Sequence, residues 1–132
     1  MLIAFASSNG ESIDSHFASS PSFEVFEFGG KSRGFVHSAQ VLTERAAGGD
    51  EAEDKVDARI KQLKECAIIY CTQIGGPAAA RLVQSGIHPL KVPEGTKIYD
   101  ELGKLVQLFN SGKLPPWLRK KLAQEKRGTN ID

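Results

Sequence analysis

Two short runs, LIAFA at residues 2–6 and AIIYCT at residues 67–72, carry no charged side chain. A strand with one face in water alternates apolar with polar residues, whereas an unbroken apolar run of this length belongs to a strand covered on both faces. The chain must therefore build a sheet with cover on two sides. The rest of the sequence supplies the parts. Residues 22–28 set Phe23, Val25 and Glu27 against Glu24, Phe26 and Phe28, and after the turn GGKSRG a second alternating strand is predicted over 34–42, with Phe35, His37 and Val41 on one face. AAGGD breaks the pattern. Asp50 with Glu53 three residues on is a helix-start signature, and Ala52, Val56, Ile60 and Leu63 form the apolar stripe of the helix that follows. GGPAAARLVQSG predicts a helix with Pro77 at its first position and Gly86 as its stop, and HPLKV at 88–92 a last strand. A third helix is expected over 96–110, opened by Thr96, with Ile98, Leu102, Leu105 and Phe109 on one face. The proline break in GKLPPWLRKKLAQEKR precedes a short basic helix.

The order of elements predicts a single α/β fold whose early strands form hairpins and whose later ones join by right-handed crossovers. The hairpin extends from one edge of the first strand and the strand at 67–72 joins its other edge, a mixed five-stranded sheet in the order 3-2-1-4-5. The chain divides into an α/β domain over residues 1–112 and a basic helical tail over 113–132.

A length of 132 residues suffices for a core without disulfide or metal support. The net charge of +1 argues against a general nucleic-acid binder. No run of about 18 apolar residues is present, so no membrane partner is expected, and MLIAFASS reads as a first strand rather than a secretory signal. A cytoplasmic location follows. Two cysteines, Cys66 and Cys71, are too few for a disulfide framework and are expected as thiols. Charge is unevenly spread: Glu44 to Asp57 holds six acids against two bases, and Arg119 to Arg127 five bases against Glu125. Both read as solvated faces, with partner docking through the basic tail as the alternative.

If the first and fourth strands are parallel neighbours, the loops SSNGESIDSHFASS and CTQIGGP flank one crevice at their carboxyl ends, where open α/β sheets bind ligands. That crevice would hold His16, several hydroxyls including that of Ser15, Cys71, and a helix start at which Gly75 and Gly76 permit close backbone approach to an anion. Each feature has a plainer reading: Gly-Gly-Pro as a strand-to-helix turn, His16 as a cover over the core beside Phe17, Cys71 as a core thiol. Cys66 is expected to be packing, and if both cysteines lie in the strand, five residues apart, they fall on opposite faces and are no chelating pair. His37 is expected to be packed or edge-exposed, and His88 to shape the approach to the last strand. Neither a zinc site nor a permanent four-cysteine iron–sulfur site can be assembled from these residues. A two-metal nuclease needs carboxylates on the central strands, and LIAFA and AIIYCT have none. A Cys71 nucleophile with His16 as base would need the two loops to meet.

FASSNGESIDSHFASSPSFEVFEF, CAIIYCTQIGGPAAARLVQSGIHPLKV and PPWLRKKL, in this order and spacing, resemble the nitrogenase iron–molybdenum cofactor biosynthesis family over residues 1–122. The resemblance implies a ribonuclease-H-like fold without nuclease activity. It further implies a non-enzymatic carrier that transiently binds an iron–sulfur precursor of the iron–molybdenum cofactor. The implied partners are the precursor-synthesising protein and the scaffold complex where the cofactor matures. The family's suspected cluster-contacting histidine corresponds to His16, and Cys71 carries over weakly. The contact set expected on this basis is Ser15, His16, Phe17, Cys71, Gly75 and Gly76, with His16 and Cys71 as metal donors. Ala18 stands where the family pattern has Gly. The alternative is a module without a cluster that docks on nitrogenase-assembly proteins through the tail carrying Trp117.

Overall fold

The computed structural model describes residues 1–29, 34–43 and 52–129. The turn within GGKSRG, the AAGGD break, Asp50 and most of the acidic run lie outside the described residues. Among the described residues, seven strands and four helices follow in chain order: β1 Leu2–Ala6, β2 Ser12–Ile13, β3 Ser22–Phe28, β4 Phe35–Leu42, α1 Ala52–Gln62, β5 Cys66–Cys71, α2 Gly76–Gln84, β6 His88–Lys91, β7 Thr96–Lys97, α3 Ile98–Ser111 and α4 Pro116–Thr129.

The main sheet runs β4-β3-β1-β5-β6, the expected 3-2-1-4-5 order, in the ribonuclease-H-like arrangement that the resemblance implied. β3 and β4 are antiparallel additions on one side of β1, and β5 and β6 parallel additions on the other. β1 is central because its residues satisfy both faces. Ile3 and Phe5 enter a cluster with Phe26, Ile68, Tyr70 and the α3 residues Ile98, Leu102 and Leu105. Ala4 and Ala6 face Ile60 and Leu63 of the α1 side and Ala78 and Leu82 of α2. Burying each large aliphatic or aromatic side chain here is worth about 1.5–3 kcal/mol relative to exposure.

Two register irregularities correct the face assignments that strict alternation predicts. Leu2 pairs with Cys66 but Ile3 with Ile68, which skips Ala67. Cys66 consequently packs in the same cluster as Cys71 rather than on the opposite face. The thiols still stand at opposite ends of β5, about 16 Å apart at the usual rise per residue. Likewise Val25 pairs with Ala39 but Phe26 with His37, which skips Ser38. Phe35 and Val41 therefore pack on different clusters, and the His37 ring meets the edge of Phe26 at 5.1 Å with Nε2 lying 2.6 Å from Glu24 Oε2. A bulge inverts the two-residue period beyond it, and sequence carries no mark of where one falls.

Helix ends also differ from expectation. α2 starts at Gly76 with Gly75 as its N-cap, so Pro77 is the second residue, and Gly86 closes it at φ +81°. Thr96 does not open α3: it lies in β7, its hydroxyl donates to the Pro93 carbonyl at 2.6 Å, and the cap is Lys97. Asp100 and Glu101 in the first turn of α3 complement its positive end. α4 is as long as α3 and seats Leu118 in the α3-side cluster, with Leu114 and Leu122 packed against it. Arg59, which lies outside the apolar stripe read for α1, is nevertheless buried and donates from Nη1 to the Ser20 carbonyl at 2.7 Å. Among the described residues, no helix is long and apolar enough to cross a membrane.

Candidate functional site

β1 and β5 end side by side, with Phe5 opposite Tyr70, so the loops that follow them share one rim. The first loop is shaped by its own polar groups. Asn9 Oδ1 accepts from the amides of Glu11 at 2.8 Å and Ser12 at 2.9 Å, and Ser7 Oγ accepts from the amide of Gly10, whose φ of +77° suits glycine. β2 then pairs with β7, a two-stranded sheet that the sequence did not reveal, and the Gly95 amide donates to the Ile13 carbonyl at 2.9 Å.

Between Ile13 and Phe17 the chain crosses the end of the sheet. Ile13 is buried in the α3-side cluster and Phe17 in the α1/α2-side cluster, and Asp14, Ser15 and His16 run along the rim between them. Here the two loops join. The Thr72 amide donates to the Ser15 carbonyl at 3.0 Å and the Phe17 amide to the Gln73 carbonyl at 2.9 Å. His16 is the residue between the two bonds. Both of its neighbours are fixed, and its own side chain is exposed. Asp14 buttresses this stretch by accepting from the Ser8 amide at 2.9 Å, the Ser8 hydroxyl, and the Ser15 hydroxyl at 2.7 Å. Partial burial works to raise the Asp14 carboxyl, but the hydrogen bonds from Ser8 and Ser15 outweigh it and hold the group below its ordinary 3.8.

Three residues past the bridge, the second loop becomes α2. No side chain caps this helix, and Gly75 and Gly76 are exposed with open space where a Cβ would stand. The rim thus brings together the Ser15 and His16 segment with the start of α2. Phe17 and Cys71, the other two expected contacts, are turned into the core. Phe17 is fully buried, 5.8 Å from the Phe23 ring between centroids. Cys71 is likewise fully buried, and burial pushes its thiol up to about 11 despite the nearby Lys91 ammonium and a backbone hydrogen bond at Gln73. In this conformation Cys71 is a packing thiol. Among the described residues, no group of three or more His, Cys, Asp and Glu side chains is placed to hold a metal ion. A guest at this rim would meet one exposed imidazole, backbone N–H groups and the positive end of a helix, a set suited to an anion held by few bonds.

Sequence reasoning located the two loops but missed what joins them. Thr72 and Gln73 act through backbone groups, which leave no sequence signal. A third strand end also reaches the rim: the Val92 amide, just past β6, donates to the Cys71 carbonyl at 2.9 Å.

The fold and the rim define a small α/β domain in which the loops after two parallel strands are joined at their carboxyl ends, with the exposed His16 between the two joining bonds. The family described as "Dinitrogenase iron-molybdenum cofactor" matches residues 1–108, and the chain belongs to that family. The protein NifX of Herbaspirillum seropedicae is 38% identical over 120 residues, covering 91% of this chain and 80% of that protein. NifX of Rhodobacter capsulatus is 34% identical, covering 92% and 77%, and NifY of Klebsiella pneumoniae is 33% identical, covering 92% and 51%. The crystal structure of PH0822 shares the fold, with a TM-score of 0.56 at 18% identity over 89% of this chain and 99% of that one. Family membership and these relatives support a part in iron–molybdenum cofactor biosynthesis.

Proposed function

We propose that the protein is a non-catalytic carrier that reversibly binds an iron–sulfur precursor of the nitrogenase iron–molybdenum cofactor and delivers it to the scaffold complex where the cofactor matures. The observation that supports this reading is the double bridge Ser15–Thr72 and Phe17–Gln73, which ties the loop carrying the exposed His16 to the loop that leads into the uncapped α2. A carried cluster must leave again. One imidazole with backbone donors holds a preassembled anionic body through few bonds, where four thiolates would hold a cluster permanently. Of the proposed contacts, Ser15, His16, Gly75 and Gly76 line the rim. Phe17 serves as the anchor of the loop, and Cys71 would contact metal only after the core beside it opens.

The test is to mix the protein anaerobically with the isolated precursor cluster and separate by size. Cluster absorbance should co-elute with the protein at micromolar concentration and do so less with His16→Ala; clean separation from the wild-type protein would overturn the carrier reading. A second reading, docking on nitrogenase-assembly proteins without a cluster, draws on Trp117, which is 39% exposed on the basic helix α4 beside the exposed Arg119 and Lys120. It is separated from the first by reversing Arg119 and Lys120 to Glu, which leaves Leu118 in the core. Pull-down of the scaffold would then be lost while cluster retention is unchanged.

A further inference from the structure

The rim carries a charged group that the reading above does not use. In the parallel pairing of β5 with β6, Lys91 stands beside Cys71, and paired neighbours in a sheet point to the same face. Cys71 packs with Phe17 and Ala78 in the α1/α2-side cluster, so Lys91 rises on that side of the sheet, the side on which α2 begins and into which the His16 loop is anchored. Its side chain is exposed, and its positive charge reaches far enough inward to act on the Cys71 thiol. Two other cations of the described residues are held in ion pairs: Arg81 Nη1 lies 2.9 Å from Asp57 Oδ1 and Lys104 Nζ 3.0 Å from Glu101 Oε2. The Lys91 ammonium has no hydrogen-bond or ion-pair partner among the described residues.

We propose that Lys91 is a specificity-determining cation of the His16 crevice, which favours metal–sulfur guests carrying net negative charge over neutral ones. This rests on the carrier reading and adds to it the residue that selects the cargo by its charge. The imidazole supplies a donor for one metal atom but discriminates poorly by overall charge. A free ammonium across the same crevice does so, weakly enough for release and with a dependence on ionic strength that a coordinate bond lacks. The competing role for Lys91 is to keep the edge strand β6 from pairing with another chain, a common use of edge lysines.

Lys97 provides the control. It has the same charge on the same end of the molecule but lies in the β2–β7 sheet, whose Ile13 is buried in the α3-side cluster. Retention of the isolated precursor cluster would be measured anaerobically at low and moderate salt for the wild type, Lys91→Gln, Lys91→Arg, Lys97→Gln and His16→Ala, with thermal midpoints showing that each is folded. Lys91→Gln should retain about three- to fivefold less cluster at low salt, the range of an exposed charge interaction, and lose most of the salt dependence. Lys91→Arg should keep both, and Lys97→Gln should stay within about twofold of wild type. Wild-type retention by Lys91→Gln alongside a loss in His16→Ala would overturn the role of Lys91 and leave the carrier reading intact. An equal loss in Lys97→Gln would also overturn it, since net charge alone would then be acting. Failure of the wild type to retain the cluster would remove both.

Discussion

The Phe17 amide donates to the Gln73 carbonyl at 2.9 Å while the ring of the same residue is fully buried beside Phe23. One residue therefore ties the first loop to the second and to the core. Phe17→Ala should destabilise the protein by about 3–5 kcal/mol, the usual cost of emptying a buried aromatic site. Replacement of the adjacent exposed His16 by Ala should cost less than about 1 kcal/mol. Urea denaturation of both variants checks the contrast; a similar cost for the two would mean that the ring is not the anchor.

Both thiols are protected by burial, which pushes Cys71 up to about 11 and Cys66 up to about 12 from an ordinary 9.0. At pH 8 neither should react with a disulfide reagent at the rate of a free thiol, and both should react in denaturant. The same shifts predict alkaline loss of stability. Above pH 9 the unfolded chain releases thiol protons that the folded one still holds, so stability present below pH 9 declines as the pH rises toward 11 to 12. Denaturation midpoints between pH 8 and 11 test the sign, and Cys71→Ala should show a shallower decline.

Asp14 works in the opposite direction. Its carboxyl, held below 3.8 by the Ser8 and Ser15 hydrogen bonds against the effect of partial burial, contributes stability above its unfolded value and loses it as pH falls through the folded one. Asp14→Asn should flatten the acid limb of the stability profile below about pH 4. Ser8→Ala should move the Asp14 titration upward when followed by carboxyl chemical shift.

His88 and Trp117 stack at 4.4 Å between ring centroids, with the planes 26° apart. Burial, followed by the Lys121 ammonium, holds His88 below its ordinary 6.5. Trp117→Ala should expose the imidazole and raise its titration toward 6.5, and Lys121→Gln should raise it by the electrostatic part alone. Imidazole proton shifts against pH separate the two. No rise in either variant would mean that α4 does not rest on β6 in solution.

The legible part of this fold is the part set by apolar content. LIAFA and AIIYCT had to be central because neither carries a charged side chain, and once they are adjacent the hairpin and crossovers leave little freedom in strand order. The parts missed turn on backbone groups and phase. The bulges at Ala67 and Ser38 moved Cys66 and Val41 to other faces, and the β2–β7 ladder is two residues long on each side. Arg59 was unreadable because its burial is licensed by a carbonyl, that of Ser20, and any residue could supply one. At the rim, side chains announced His16 and the Gly-Gly turn. The Ser15–Thr72 and Phe17–Gln73 bonds that make them neighbours could be seen only in the folded chain.

The alternation at residues 15 to 17 makes the backbone at His16 a fixture of the scaffold, with only the side-chain torsions left free. Under the carrier proposal a donor mounted in this way needs only its side chain ordered when a guest arrives, so little backbone entropy stands between the empty and loaded forms. Unloading would then be governed by ligand exchange, the receiving protein displacing one nitrogen with stronger donors of its own, and not by the opening of a gate.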